Sequence, residues 1–489
     1  MKSIRFTFII SFLVLAAIPY RLGAQNTRID LNGDGYVDVG DVTNLIQTVL
    51  NGGNGPVINP LQGHLSAKTY GAVGDGVTDD TQALERLFED AYNAHKAVFF
   101  EPGTYLIRRS LTLRTGMEIY GDGATITKPK AITTKLTAAA AKGQTYLDVE
   151  DATGFREGDQ FFIEDAAGAN YCTYGIVTSV EGNRIHFYNI ISDHQSNFPG
   201  CVRAYASGLN VSKSFALLRS WGARFECDGV YIHHLTLDGN RDSSEPKSWA
   251  NSCIHLDSYY GGGYTGSTGI EYRTVQRNLV AKNLIIRNSP HDAISDQGEG
   301  GLIVQDCTIE NSAMHGVHLG TIYSNALIYN NIMTGNWTIG SGVFCCQSVT
   351  NVIVDGNVMM GFNHGCSDEE FGTCGKFLII RNNAFHMIVS HVFDFLKASS
   401  SSRGGGIHIY NNEISGMRAA MFSGRYLDDV IIAGNKVTQV SSAPANLINV
   451  TQSNNVIISG NTLPSGVNIS QPVVSTGTTN ILQNANSWN

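Results

Sequence analysis

Histidine and aspartate crowd one stretch, NSPHDAISDQGEGGLIVQDCTIENSAMHGVHLG, residues 288–320. Two similar phrases, HDAIS from His291 and HGVHL from His315, stand 24 residues apart within it. A third, CIHLD, covers residues 253–257. Each reads as a short strand preceded by polar residues. With Ile254 aligned to Ala293 and Val317, His255, Asp257, Ile294, Asp296, His318 and Gly320 point outward. That alignment makes Asp257 and Asp296 neighbours on one face. His255 and His318 flank them, and His291 and His315 stand at the strand entrance.

Two adjacent carboxylates suit glycosidic cleavage. One, its pKa raised by the other, protonates the leaving oxygen, while the second attacks or activates water. The same groups suit elimination or epimerisation, in which a His abstracts the C5 proton of a uronic acid and an acid, cation or metal neutralises the sugar carboxylate. A metal held by His255, His318 and Asp296 is a further option without diagnostic spacing. Outward Asp and His also serve simply as solvated or turn-binding residues. Loops beside these strands supply Arg241, Lys247, Trp249, Tyr259, Tyr260, Tyr264 and Arg273. Aromatic rings stack on sugars and Arg forks bind carboxylates, so the loops fit an anionic polysaccharide. A reserve group comprises Asp368, Glu369, Glu370, His391 and Asp394.

Such residues need a scaffold that repeats. One phrase recurs: VAKNLII, IVQDCTI, LIYNNIM, VIVDGNVM, LIIRNNAF, IHIYNNEI, VIIAGNKV, VIISGNTL. Taking its Asn or Cys at Asn283, Cys307, Asn331, Asn357, Asn383, Asn412, Asn435 and Asn461 gives steps of 24, 24, 26, 26, 29, 23 and 26 residues. Apolar and polar residues alternate with period two, as in a strand. One coil per step, without tight hairpins, predicts an all-β chain folded as a right-handed parallel β-helix. Asn at one corner of each coil predicts a side-chain amide ladder. The stretch YGAVGDGVTDDTQALERLFEDA predicts a helix that caps the open end of the stack. There Asp79 or Thr78 caps the helix, and Asp75, Asp79 and Asp80 fix turns rather than catalyse. From about 134 to 200 the rhythm breaks, which predicts a small β insertion.

The composition agrees. Charged residues make up 15% of the 489-residue chain, hydrophobic residues 42%, and Gly reaches 53. These values fit a turn-rich β protein with a large core. A formal net charge of −9 argues against non-specific nucleic-acid binding. Lys2 and Arg5 precede the apolar run FTFIISFLVLAAI, and Ala24 precedes Gln25. Residues 1–24 therefore read as a signal peptide, and no stretch reads as a membrane span. The expected location is secreted, periplasmic or cell-surface. Nine Cys leave an odd thiol. Cys366 and Cys374 bracket a segment that a disulfide can close, whereas Cys307 and Cys345 fall at inward positions as free thiols.

Near the N-terminus, DLNGDGYVDVGD places Asp30, Asn32, Asp34, the Tyr36 carbonyl and Asp41 at the oxygen positions of a twelve-residue calcium loop, with Gly35 at its turn. With VTNLIQTVL after it, residues 28–52 resemble one repeat of a type I dockerin, which normally carries two. The resemblance implies structural calcium and a cohesin-like partner. Residues 53–64 read as a linker and 65–489 as the β-helix domain.

The stretch YGAVGDGVTDD followed by EPGTYLI resembles the N-terminal signature of the pectate-lyase-like superfamily that includes rhamnogalacturonase and epimerase-type enzymes. LTLDGNRD at 235–242 is similar to the matching phrase of mannuronan C5-epimerases. Against polygalacturonase motifs only His315-Gly316 matches. The epimerases' Asp-Pro-His strand reads Ile294-Ser295-Asp296 here, and their acid one coil later falls at Gly320. The resemblance implies the scaffold and the place of the site, not the reaction. The expectation is a glycoside hydrolase acting on a uronate-containing polysaccharide through Asp257 and Asp296. The alternatives are a polysaccharide lyase or C5-epimerase and a non-catalytic glycan-binding adhesin.

Overall fold

The computed structural model describes residues 63–163, 173–192, 200–201, 204–220, 227–242, 251–257, 276–298, 300–320, 325–337, 339–346, 349–368, 376–396 and 398–488. The segments expected to be a signal peptide, a calcium loop with Asp30, Asn32, Asp34, Tyr36 and Asp41, and a linker lie outside them up to residue 62. Among the described residues no helix is long and apolar enough to cross a membrane.

Short parallel strands stack coil upon coil, as the repeat predicts. On one face, Ile232, Ala281, Val304, Ile328, Val354, Ile380, Ile409, Ile432 and Ile458 pair in register from coil to coil. On a second face, Ile286, Ile309, Met333, Met359, Phe385, Ile414 and Val437 do the same. A third face is a separate eleven-stranded sheet. Its inward column runs Leu111, Leu218, Ile254, Ile294, Val317, Val343, Cys366, Phe393, Phe422 and Ile448. All three columns are buried in one continuous core. Burying each large aliphatic side chain stabilises the fold by roughly 1.5–3 kcal/mol.

The corners are fixed by two adjacent columns. In the first, Asn283, Asp306, Asn330, Gly356, Asn382, Asn411, Gly434 and Gly460 all have φ between 52° and 69°. Asn, Asp and Gly tolerate this left-handed conformation best. In the second, Asn331, Asn357, Asn383, Asn412, Asn435 and Asn461 form the amide ladder. Each Nδ2 donates to the next Asn Oδ1 at 2.9–3.0 Å and to a strand carbonyl at 2.8–3.0 Å. Asn486 closes the ladder, and the Cys307 N–H donates to Asn331 Oδ1 at its other end. Asn283 belongs to the left-handed column and not to the ladder; Leu284 takes the ladder position in its coil, since its carbonyl accepts the Thr308 N–H as that of Cys307 accepts Ile332. The step between these two coils is therefore 23 residues rather than 24.

The cap helix spans Thr81–Ala94 and buries Leu84, Leu87, Phe88 and Ala91. Asp79 accepts from the Thr81 N–H, Asp80 from Val73 and Gly74, and Asp75 from Val77 and Thr78. These acids organise turns. The strands Ile132–Lys135, Tyr146–Asp148, Gln160–Ile163, Thr173–Glu181, Arg184–Ser192 and Asn210–Lys213 form an antiparallel sheet with its own core. Buried Asp159 fastens that sheet to the coils through Arg108 at 2.6 Å, and Lys213 of the sheet itself lies 3.3 Å from the same carboxylate. Cys366 is a free buried thiol in the inward column, so it does not form the expected bridge; its neighbours are strand residues. Cys307 and Cys345 are free and buried.

Replacing Asn357 by Ala removes a donor and an acceptor from the middle of the ladder. Each orphaned buried group costs about 1–3 kcal/mol. Urea unfolding of Asn357→Ala should show a loss of at least about 2 kcal/mol, and an exposed control such as Lys96→Ala should change little.

Candidate functional site

The eleven-stranded sheet positions the candidate residues. Parallel pairing joins Ile254 to Ile294 to Val317, His255 to Ser295 to His318, Leu256 to Asp296 to Leu319, and Asp257 to Gln297. The middle strand thus sits one residue away from the expected register. Ile294 occupies the core, where an isoleucine gains most. Asp296 falls in the inward column between Leu256 and Leu319, so Asp257 and Asp296 are not stacked neighbours on one outward face. The similarity of HDAIS to HGVHL misleads here. His315 lies over Asp292, because the Ala293 N–H donates to the His315 carbonyl and Ile294 to Gly316. Gly320 leaves no open space on the outward face, since a Cβ there would run into the Gln297 side chain.

What converges instead is a buried His–Asp cluster. Asp292 is fully buried. Its Oδ2 lies 2.8 Å from His318 Nδ1 and 3.0 Å from His291 Nδ1, and its Oδ1 accepts the His315 N–H at 3.1 Å. Burial alone would raise this carboxyl, but the two imidazoles hold it well below the usual carboxylate range. A carboxylate on Nδ1 fixes the proton there and leaves Nε2 of His318 with its lone pair. That Nε2 lies 3.3 Å from the Gln297 amide nitrogen, a suitable donor to it. His318 is 8% exposed. His315 differs. Burial pushes its pKa down to about 3, its ring stacks on Phe344 at 4.0 Å, and its Nδ1 accepts the Ser341 N–H. It is a neutral wall of the site. Burial also pushes Asp296 up to about 6, against the lowering by the Gly298 N–H and the nearby His318 imidazole.

Alternation and register place His255 and Arg219 in the outward column with His318, both buried. Arg241 stands at the corner leading into this sheet, donating to Asn311 Oδ1 at 2.8 Å. The Asp257 side chain and Lys247, Trp249, Tyr259, Tyr260, Tyr264 and Arg273 lie outside the described residues. In the reserve group, Asp368 follows Cys345 in the inward column and Asp394 follows Ser367 in the outward one, so the two acids are on opposite sides of the sheet. Glu369 and Glu370 lie outside the described residues. Sequence reasoning missed Asp292, Gln297 and Arg219. The signal for Asp292 was an acid between His291 and an apolar strand, which reads equally well as a turn.

Residues 64–197 match the family described as rhamnogalacturonase A/epimerase, pectate lyase-like, and residues 268–399 match the right-handed beta helix region. Alginate lyase 7 of Azotobacter vinelandii is 23% identical over 272 residues, 54% of this chain and 22% of that protein. A glucan 1,3-beta-glucosidase of Cochliobolus carbonum is 38% identical over 58 residues, 12% of this chain and 7% of that protein. The chain thus spans less than a quarter of the length of either. Among solved structures, the A-module of mannuronan C-5 epimerase AlgE6 from Azotobacter vinelandii aligns with a TM-score of 0.54 at 15% identity, covering 87% of this chain and 96% of that one. PfbA, a surface adhesin of Streptococcus pneumoniae, aligns with a TM-score of 0.54 at 14% identity, covering 87% and 91%. These structures share the fold, a pectate-lyase-like right-handed β-helix.

The two acids should respond oppositely to pH. A carboxyl raised to about 6 in the fold destabilises it as pH rises from about 4 through 6, by up to about 3 kcal/mol. Asp296→Asn should remove that loss, so urea midpoints at pH 4 and 7.5 should draw together. Asp292 is lowered, so its contribution is present at neutral pH and disappears as pH falls through its folded value. Asp292→Asn should therefore cost about 3–5 kcal/mol at pH 7.5 and much less in acid.

Proposed function

We propose that this chain is an exported carbohydrate-active enzyme that acts on a uronate-containing polysaccharide by removing the C5 proton. The observation that carries the reading is the 2.8 Å contact between Asp292 Oδ2 and His318 Nδ1. It makes His318 Nε2 a base held in one tautomer and one orientation. In the proposed step the C5–H bond breaks and its proton passes to Nε2. Elimination then expels the C4 oxygen, whereas epimerisation returns a proton to the opposite face. The amide of Gln297, beside His318, would meet the sugar carboxylate, and Arg241 suits the carboxylate of a neighbouring residue. The likeness to an alginate lyase and to an epimerase module, each at low identity, supports this substrate class.

Hydrolysis is the second reading. It rests on Asp296, whose raised pKa suits a general acid. Its inward position and the loss of a stacked carboxylate partner weigh against it. An adhesin that only binds glycans is the reading outside catalysis.

The chain should be incubated with alginate, polygalacturonate and rhamnogalacturonan in D2O and the products weighed. Deuterium at C5, or an unsaturated uronate with its ultraviolet absorbance, supports proton abstraction. Addition of water without deuterium at C5 supports hydrolysis, and binding without product supports the adhesin. His318→Ala and Asp292→Asn should each lower kcat by roughly 10²–10⁴ with little change in KM. Equal activity in both variants rules out the proposed base.

A further inference from the structure

A second cluster lies further along the same sheet and plays no part in the reading above. His364 opens the strand His364–Asp368, His391 precedes the next strand, Phe393–Phe395, and Asp394 lies within it. Pairing of Cys366 with Phe393 puts His364 and His391 at equivalent positions of adjacent coils. Their rings lie 6.2 Å apart and within 13° of parallel. Asp394 Oδ2 lies 3.6 Å from His364 Nδ1 and 3.9 Å from His391 Nδ1. Ligand atoms from the three side chains all fall within 4.8 Å of one another.

We propose that His364, His391 and Asp394 form a binding site for a divalent transition-metal ion of the zinc type. Tetrahedral coordination at about 2.0–2.1 Å sets donor atoms about 3.4 Å apart. The two separations from Asp394 Oδ2 need to close by about 0.2–0.5 Å, and the remaining pair of ligand atoms lies within 4.8 Å. Two imidazole nitrogens with one carboxylate oxygen favour Zn²⁺, Co²⁺ or Ni²⁺ over Ca²⁺ and Mg²⁺, which take oxygen ligands. The cluster is also unfinished as a purely protein network. His391 Nδ1 and Asp394 Oδ1 are both shielded from solvent and make no hydrogen bond among the described residues. A buried polar atom left this way is costly, and a cation satisfies both at once.

The neighbouring groups can support the ion. Without a metal, His364 Nε2 accepts from the Asn363 amide nitrogen at 2.8 Å and Nδ1 donates to the His391 carbonyl at 3.2 Å, a bond that the metal would replace. With a metal on Nδ1 the ring proton moves to Nε2, and rotation of the Asn363 amide offers it an oxygen. His391 also lines a depression of about 300 Å³ with Arg418, Asn446 and Asn449, which gives an ion a way in from solvent. Three protein ligands leave at least one coordination position for water or an anion. Nothing in this proposal depends on the reaction assigned to His318.

The test uses the tag-free full chain, stripped with chelator and titrated calorimetrically with ZnCl2 at pH 7.5, with bound metal measured by mass spectrometry after dialysis. The native chain should bind one equivalent more than His391→Ala or Asp394→Asn. Co²⁺ should give visible absorption bands in the native chain that are absent from both variants. Zinc should raise the melting temperature of the native chain alone. Asp394→Asn preserves shape, and matching circular dichroism of the apo forms separates loss of a ligand from loss of the fold. Equal stoichiometry and affinity in the native chain and both variants would overturn the proposal, as would absence of binding to the native chain.

Discussion

One buried amide per coil sets the vertical order of this molecule. From Asn331 to Asn486 each ladder side chain gives its N–H groups to the next amide and to a strand carbonyl, and its oxygen accepts a backbone N–H. An amide displaced by one residue would leave several of these groups buried and unpaired. Coil lengths therefore vary only where loops leave the stack, while the strands stay in register. Apolar columns on three faces then fill the interior, and the left-handed corner residues turn the chain between them.

That order decides which polar residues meet. Residues one strand apart lie about 4.8 Å apart, so a change of one position in a coil moves a side chain from groove to core. Asp292 gains its place because it sits at the corner before the strand, under His315 and beside His291 and His318. Two cations-to-be around one fully buried carboxylate keep it ionised, and the carboxylate in turn fixes the imidazole of His318. Asp296, only four residues on, has the opposite environment: apolar neighbours above and below and a raised pKa. One corner and the strand that follows it thus hold one acid well below the usual carboxylate range and another above it.

The architecture was legible because eight copies of one phrase average out local ambiguity. The cap helix and the turn-forming acids were legible because Asp and Gly at those spacings have few other uses. The site was legible in place but not in detail. The repeat phrase contains two adjacent polar corner residues, and Asn283 occupies the first where later coils show Asn in the second. Matching HDAIS to HGVHL set the same 24-residue step, one residue too long, and turned Asp296 outward. Alternation could not correct it, since AISDQ offers an apolar residue to either face for only one step. Burial of Ile294 settles the register, and burial is a property of the folded coil. Arg219 was hidden for a related reason: a charged residue between Leu218 and Ser220 reads as surface, yet it is buried.

The cluster at His318 and the cluster at Asp394 lie on the same sheet, three coils apart. A polysaccharide laid along the coils passes both, so where it docks distinguishes them. The most direct measurement is a crystal structure of the Asp292→Asn chain soaked with a uronate oligosaccharide that the native chain turns over. The account predicts a sugar C5 within about 3.5 Å of His318 Nε2, its carboxylate near Gln297. An oligosaccharide whose C5 atoms all lie far from His318 would contradict it.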